Sequence, residues 1–415
     1  MPRSLLFISA RHALLFCLML SLFELLVYAG SDMVMPGMLT VIANLEAQVH
    51  YVPWSLNAYL MGGVAFQWLI GPLSDRFGRR PLMLIGCAVF IIASLLSASV
   101  VNIDQFIALR FVQGIGMGFV IAVGYPALQE SFSETGSVRL FAIFSTIGLL
   151  SPLLGPLLGT ALLSVISWRT LFIVIAASGA LVWLGLYRWM PETIGVLRRD
   201  GTRLQPHALR MAELLRIYGG LLNNRAFMAG SIALGLIGLP LLAWIALSPV
   251  LLIHQLDLST GQYALWQLPV FGGMILGSVV LNKAAQTMSI ECLLSMGIRW
   301  VIGGLGLALI MTLITGHIIA LAAGLALYAF GVGICNATLY RLTLFSSERG
   351  KGAVSALLGM IPVAIFACGI YLLTALGACN SLEAYIIAAA FPAAAAVVPV
   401  RYVLAVRAAT ERQHR

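Results

Sequence analysis

Charge is the scarcest resource in this chain. Of its 415 residues only 9% are Asp, Glu, Lys or Arg, and the acids number just 15. Soluble domains carry about 25% charged residues, and a soluble core cannot absorb a chain that is 61% hydrophobic. The six cysteines, at 17, 87, 292, 335, 368 and 379, show no paired spacing, which excludes a disulfide framework, a redox pair and a zinc site. The six histidines form no metal-ligand cluster. No Gly-x-x-x-x-Gly-Lys loop occurs, and no polar stretch is long enough to fold a nucleotide-hydrolysing domain. An ATP-driven pump in one chain is therefore excluded, and no enzyme signature or cofactor site takes its place.

Long apolar runs fill the chain instead. Each is long enough to cross about 30 Å of hydrocarbon at about 1.5 Å per residue. Twelve spans are expected, at about 13–42, 53–73, 82–101, 105–129, 140–165, 170–189, 226–253, 260–281, 291–314, 318–345, 353–377 and 383–405. The alternating strands of about ten residues that mark a membrane β-barrel are missing. The fold class is an all-α integral membrane protein. Arg3, Arg11 and the apolar run behind them imitate a signal peptide, with Val27-Tyr28-Ala29 as a mock cleavage site. The run continues well past that point, so it reads as an uncleaved first span.

Orientation follows from Lys and Arg. One set of loops carries Arg76, Arg79, Arg80, Arg139, a basic central linker, Lys283, Arg349 and Lys351, and the tail adds Arg407, Arg412 and Arg415. The opposite loops carry Arg169 as their single basic residue, beside Glu46, Asp104, Asp257 and Glu383. Both termini are thus expected in the cytoplasm. The net charge of +9 is spread over short loops, which fits this topological bias and contact with anionic lipid and gives no reason to invoke nucleic acid.

The longest polar stretch, 191–225, separates an N-terminal half, 1–190, from a C-terminal half, 226–415, with six spans each. Two equal halves fit a transporter built from a parallel repeat that rocks about a central site. Gln113-Gly114-Ile115-Gly116 in span 4 is echoed by Phe330-Gly331-Val332-Gly333 in span 10, and Pro152 by Pro362. On that register Arg110 corresponds to Leu327, and span 7 has no acid matching span 1.

Two acids, Glu24 and Asp32, lie inside span 1 with Tyr28 midway between them. Spacings of four put all three on roughly one helical stripe. A carboxylate at membrane depth costs about 2.5–3.5 kcal/mol on insertion scales, and such residues mark ion or substrate pathways. Arg110 enters span 4 at a depth compatible with Asp32, its natural anionic partner, with Gln113 one turn on. The intramembrane charge is concentrated in the N-terminal half, which is the half expected to handle a proton.

Three motifs then point to a family. Gly71-Pro-Leu-Ser-Asp75-Arg76-Phe-Gly78-Arg79-Arg80-Pro81 after span 2 resembles the loop signature of the major facilitator superfamily. Leu109-Arg110-Phe-Val-Gln113-Gly114 resembles the span-4 motif of its proton-coupled members. Gly148-Leu-Leu-Ser-Pro152-Leu-Leu-Gly155-Pro156-Leu-Leu-Gly159 resembles the span-5 motif of its drug antiporters, as does Met190-Pro191-Glu192-Thr193 after span 6. More narrowly, Glu24, Tyr28, Asp32-Met33, Pro36-Gly37-Met38, Leu239-Pro-Leu-Leu-Ala-Trp244 and Arg341-Leu-Thr-Leu-Phe345 look like the MdfA-type multidrug/proton antiporters.

The resemblance implies the major facilitator fold, twelve helices in two pseudo-symmetric halves. It also implies proton-driven export of lipophilic cationic and neutral compounds, chloramphenicol-type antibiotics among them, across the bacterial cytoplasmic membrane. The proton is then the coupling ion, no cofactor is needed, and a monomer suffices. Glu24, Asp32 and Arg110 would couple the proton. A pocket expected between the halves would be lined by Glu24, Tyr28, Asp32, Leu241 and Phe366, with Met33 and Asn57 as further candidates. Gly71, Asp75, Arg76, Gly78, Arg79 and Arg80 would form a cytoplasmic gate, with Asp75 latching onto span 11 near Gly352. Pro152, Gly155, Pro156 and Gly159 would favour exchange over uniport, while their residue types alone indicate close packing and a bend.

Two alternatives stand beside this reading. One is a transporter of a defined metabolite such as a sugar, which would need a pocket rich in polar groups. The other is a passive channel or a receptor, for which acids confined to one half are unneeded. Arg299 falls inside span 9 and receives no role, and Arg341 reads as an interfacial anchor.

Overall fold

The computed structural model is mainly helical. It describes residues 4–132, 134–205, 211–347 and 351–413, except for the side chains of 134–147, 149, 211, 351–353 and 408–413. Among these residues no β-strand occurs, only three isolated bridges. Of the loop charges named from the sequence, Arg349 and Arg415 lie outside the described residues, as do the side chains of Arg139, Lys351 and Arg412.

The helices are α1 (Ala10–Asn44), α2 (in two pieces, Tyr51–Ala65 and Gln67–Phe77), α3 (Arg79–Ser97), α4 (Ile103–Ser131), α5 (Glu134–Leu163) and α6 (Trp168–Trp189). A linker helix α7 (Met211–Leu222) follows. Then come α8 (Arg225–Gln255), α9 (Thr260–Ala284), α10 (Ile290–Thr315), α11 (Ile318–Leu344), α12 (Lys351–Ala375) and α13 (Leu382–Arg407). Ten of these are, among the described residues, long and apolar enough to cross a membrane. The remaining two spans are α2, interrupted at Phe66, and α5, whose apolar part is Leu150–Leu163. Twelve spans result, close to the expected positions.

Two compact units divide the chain: Met1–Tyr51 with Ala58–Met211, and Val52–Asn57 with Ala212–Arg415. The central stretch is not a free tether throughout. Arg199 N–H donates to the carbonyl of Leu5 at 2.7 Å and Gly195 N–H to that of Leu204 at 2.7 Å, so its first half is folded against the N-terminal segment.

Glycine sets the helix spacing in each unit. In the first, a Cβ on Gly62 would strike the carbonyl of Phe111, and one on Gly114 that of Tyr59, so α2 and α4 touch backbone to backbone. In the second, Gly277 faces the carbonyl of Phe330 and Gly333 that of Met274, the same arrangement between α9 and α11. Association inside a membrane is driven by this kind of close contact, since lipid tails are as apolar as the side chains. These contacts correct the internal register read from sequence. Gly114 corresponds to Gly333 rather than Gly331, so the counterpart of Arg110 is Ala329 rather than Leu327. The C-terminal half still has no charge there.

Of the two lead helices α1 is locally broken, whereas α8 stays helical through Pro240. In α1 the helix gives way after Asp32 to a 3₁₀ turn at Met35–Gly37, where Pro36 has no N–H to offer the carbonyl four residues back. In α8, next to Pro240, the hydroxyl of Tyr328 is inserted into the helix ladder. It accepts from Leu241 N–H at 3.2 Å and donates to the carbonyl of Ile237 at 2.6 Å. Tyr385 donates to the carbonyl of Pro240 at 2.8 Å.

Gly114→Val is expected to force α4 off α2 and cost about 1–3 kcal/mol, as overpacking does. Gly272→Val, where a Cβ meets only open space, is expected to leave stability unchanged. Thermal unfolding of the two variants in detergent makes the comparison, and equal melting temperatures would remove the packing argument.

Candidate functional site

The break in α1 builds the site. The last four carbonyls of a helical segment have no intrahelical donor and carry the negative end of the helix dipole. Here the Ala29 carbonyl still accepts from Met33 N–H at 2.8 Å, and those of Gly30, Ser31 and Asp32 are left for other donors. Arg110, fully buried on α4, sends one terminal guanidinium nitrogen to the carbonyl of Gly30 at 3.2 Å and the other to that of Ser31 at 3.3 Å. It also donates to Gln113 Oε1 at 2.5 Å and lies over the ring of Tyr59, 4.7 Å from its centroid. Gln113 passes the chain on to Ser94 at 2.8 Å, and Tyr59 donates to the carbonyl of Val27 at 2.6 Å. A buried cation is tolerated because the free end of α1 supplies its partners.

Asp32 is buried and accepts from two hydroxyls, Ser31 at 2.9 Å and Ser151 of α5 at 3.1 Å. The expected neighbourhood with Arg110 is thus realised through the two peptide carbonyls just ahead of Asp32, and Gln113 takes the part foreseen for it. Ser31 Oγ lies 2.7 Å from the carbonyl of Tyr28 as well. Glu24, eight residues earlier, is fully buried and accepts from Tyr125 at 2.5 Å, the length of a strong O–H···O bond. Its second oxygen, Oε2, has no hydrogen-bond partner among the described residues. Tyr125 shares a hydrogen bond with Tyr28. Two polar groups result, Glu24–Tyr125–Tyr28 through the Tyr28 phenol and Ser31–Asp32–Ser151 beside the Tyr28 backbone carbonyl, with Tyr28 common to both. Glu24, Tyr28, Asp32 and Arg110 are brought together as the sequence suggested.

The span-5 motif lies against these groups. A Cβ on Gly155 would collide with Asp32 Cβ, and one on Gly159 with the carbonyl of Met33. Gly148 faces the ring of Tyr28 at 3.9 Å. Pro152 and Pro156 sit in the same helix on either side of Gly155. The glycines let α5 lie directly on the broken segment of α1 and bring Ser151 to the acid.

At the other end of the first unit, the loop motif folds around Arg79. Arg79 is buried and pairs with Asp75 at 2.6 Å and with both oxygens of Glu130, at 2.8 and 3.2 Å. A further terminal nitrogen donates to Ser74. Glu192 accepts the N–H groups of Arg79 and Arg80, at 2.9 and 3.2 Å, and so caps the start of α3. Thr193 closes the cluster by donating to Glu130 at 2.5 Å. Gly78, with φ of 103°, adopts a conformation that L side chains rarely take, and a Cβ there would meet Glu192. Arg80 reaches the carbonyl of Tyr187, while Arg76 lies 5.1 Å over the ring of Phe77. Gly71 has only open space where its Cβ would be, so packing does not require glycine there.

In the second unit Leu241 is buried and Phe366 is half-buried, its ring packed against Gly238 one turn before Leu241. Asn57 has a buried Oδ1 with no hydrogen-bond partner among the described residues. Sequence reasoning missed Tyr125, Ser31, Ser151, Tyr59 and Glu130. A polar tyrosine before Pro126 and an acid at the end of span 4 were visible, but no spacing ties them to residues about 50 to 100 positions away.

Known proteins give the same reading. The model of the Major Facilitator Superfamily matches residues 20–362. The chain belongs to that superfamily. The multidrug transporter MdfA of Yersinia pestis (strain Angola) is 48% identical over 363 residues, covering 87% of both chains. That of Escherichia coli O6:H1 is 45% identical over 361 residues, covering 87% of this chain and 86% of its own. Among solved structures, the D-xylose-proton symporter covers 94% of this chain and 97% of its own with a TM-score of 0.74 at 14% identity. A bacterial homologue of the human lysosomal transporter Spinster, inward-facing, covers 96% of both chains with a TM-score of 0.69 at 15% identity. Such identities speak for the superfamily fold alone. The chain is a transporter, not an enzyme.

Removing one partner of a buried ion pair costs about 3–5 kcal/mol, because the other charge stays behind. Glu130→Ala is expected to cost less than that, about 1.5–3 kcal/mol, because Asp75 and Ser74 still partner Arg79, whereas Arg76→Ala, at an exposed side chain, is expected to cost under about 0.5 kcal/mol. Thermal melting of purified variants tests it. Equal stability of the two would mean that the cluster around Arg79 contributes nothing to the fold.

Proposed function

We propose that this transporter is a proton-coupled multidrug efflux antiporter, exporting lipophilic cationic and neutral compounds by alternating access. It would sit in the bacterial cytoplasmic membrane with both termini inside, as its loop charges suggest, and work as a monomer. The observation that carries the reading is the pair of buried acids, Glu24 and Asp32, each hydrogen-bonded to hydroxyls and flanking Tyr28 inside an otherwise apolar unit. The kinship with MdfA transporters of 45–48% identity supports the substrate class.

The mechanism assigns the proton to the first half, 1–190, and treats 191–225 as the linker to the second half, 226–415. Ser31 reads the protonation of Asp32. A hydroxyl has one proton to give, and Ser31 Oγ lies within reach of both the Tyr28 carbonyl, at 2.7 Å, and Asp32, at 2.9 Å. When Asp32 is ionised, Ser31 turns its proton toward the carboxylate. When Asp32 is protonated, it donates to Ser31, whose own proton returns to the Tyr28 carbonyl. The rearrangement acts at the broken end of α1, where α5 and Arg110 also grip the chain. A change of protonation is thereby felt by three helices.

Drug and proton need only prefer opposite states of the same carboxyls for exchange to follow. A cationic drug pairs with Glu24 or Asp32 once the proton has left. Neutral drugs rely on apolar and aromatic surface, for which Tyr28, Leu241 and Phe366 are proposed, with Asn57 as a polar contact. The Arg79 cluster, with Gly71, Asp75, Arg76, Gly78 and Arg80, is proposed as the cytoplasmic gate. Pro152, Gly155, Pro156 and Gly159 are proposed to keep proton movement tied to substrate by holding α5 against Asp32.

Drug-induced proton release from purified protein tests the assignment. Glu24→Gln and Asp32→Asn are each expected to impair coupled export, unequally for cationic and neutral drugs. The double variant is expected to release no proton on drug addition while still inserting in the membrane. Full coupling in that double variant would falsify the proton site.

Arg110→Lys keeps a charge but loses the planar fork that serves Gly30, Ser31 and Gln113 together. Its coupled export, measured in proteoliposomes, is expected to lie between that of the unaltered protein and that of Arg110→Ala. Export by Arg110→Ala at the full rate would reduce Arg110 to packing.

A further inference from the structure

Arg299 belongs to no part of the proton site or the cluster around Arg79. It lies nine residues into α10, which runs over 26 residues and about 39 Å, longer than a hydrocarbon core of about 30 Å. Its Cα is therefore well inside the membrane, about 13 Å along the axis from the helix start. The side chain is exposed and bends back toward that start, its Nε donating to the carbonyl of Ser295 at 3.0 Å. Its two terminal nitrogens have no partner among the described residues. Glu291, two turns earlier, is engaged with Arg407 at 3.5 Å.

A groove of about 650 Å³ runs along this helix, entirely within the second unit. Arg299 shares it with Cys292, Met296, Trp300, Gly303 and, from α11, Leu327. On the deeper side Gly303 leaves open space where a side chain would stand, and Leu307 continues an apolar wall. A cation with unpartnered donors thus stands midway along the slot, with Met288, Cys292 and Met296 on its shallow side and an apolar wall below it. One turn of helix separates the charge from the deep wall.

We propose that this groove binds an anionic phospholipid, its phosphate on the Arg299 guanidinium and one acyl chain along Gly303 and Leu307. Charge complementarity argues for it. A lipid-facing arginine at this depth requires an anion, the groove's neighbouring helices supply none to its terminal nitrogens, and the medium covering the face is lipid. The planar guanidinium fork matches phosphate oxygens two at a time. The start of α10 lies just after the end of α9 that carries Lys283, so the leaflet concerned is the cytoplasmic one under the charge rule.

Native mass spectrometry of the full-length protein, titrated in detergent with phosphatidylglycerol or phosphatidylethanolamine, tests this. The unaltered protein is expected to retain phosphatidylglycerol preferentially. Arg299→Gln is expected to lower that preference about fivefold, the effect of one basic residue at an anionic leaflet. Arg299→Lys is expected to keep most of it. Gly303→Leu fills the slot without touching protein atoms and is expected to reduce retention of both lipids at this site. An unchanged preference in Arg299→Gln would leave an arginine that only snorkels and overturn the proposal. A lipid-free dimer as the dominant species would do the same, assigning the groove to a second copy of the chain. Neither result bears on drug–proton exchange, which is read separately in proteoliposomes.

Discussion

Inside a membrane an unpartnered charge and an unpartnered carbonyl are both costly, and in this protein each resolves the other. The first segment of α1 ends at Asp32, in the middle of a span, because Pro36 cannot continue the ladder. Its exposed carbonyls need donors, and Arg110 needs acceptors. Their contact at Gly30 and Ser31 fixes α4 against α1, and Asp32 is held in place beside it. Irregular backbone at membrane depth is tolerated where protein surrounds it, and here α4, α5 and Tyr59 of α2 supply that surround.

The second half solves the same problem without charge. Around Pro240 in α8, which stays helical, backbone groups at Ile237, Pro240 and Leu241 are met by the hydroxyls of Tyr328 and Tyr385. A neutral phenol can serve the backbone groups around a proline. The asymmetry between Arg110 and Ala329 is therefore the difference between a helix break held by a buried charge and a proline site held by neutral hydroxyls. Glycine backbone contacts, by contrast, are matched between the halves, because helix spacing is a demand of packing and not of chemistry.

The cluster around Arg79 obeys the same need for partners. Arg79 takes Asp75, Glu130 and Ser74, while Glu192 takes the free N–H groups at the start of α3. Segments distant in the chain, at 74–80, 130 and 192–193, are joined in one network. The Pro-Glu-Thr sequence after α6 thereby acquires a physical role, since its acid caps one helix and its hydroxyl braces the acid of another.

Composition, span lengths and charge bias determined by themselves that this is a twelve-helix membrane protein with its intramembrane acids in the first half. Spacing of four along a helix sufficed to put Glu24, Tyr28 and Asp32 on one face, because helix periodicity is local. The motif residues Gly78, Arg79, Gly155 and Gly159 were legible as special, since few residue types satisfy such positions. Their partners were not. Only the tertiary structure decided that Tyr125 serves Glu24, that Ser151 serves Asp32, that Glu130 neutralises Arg79 and that the repeat register pairs Gly114 with Gly333. Those contacts cross about 50 to 120 positions of chain and depend on how helices rotate about their axes. A one-dimensional pattern of apolar residues leaves that rotation open when a helix is apolar nearly all round, and close packing of glycine on backbone closes it.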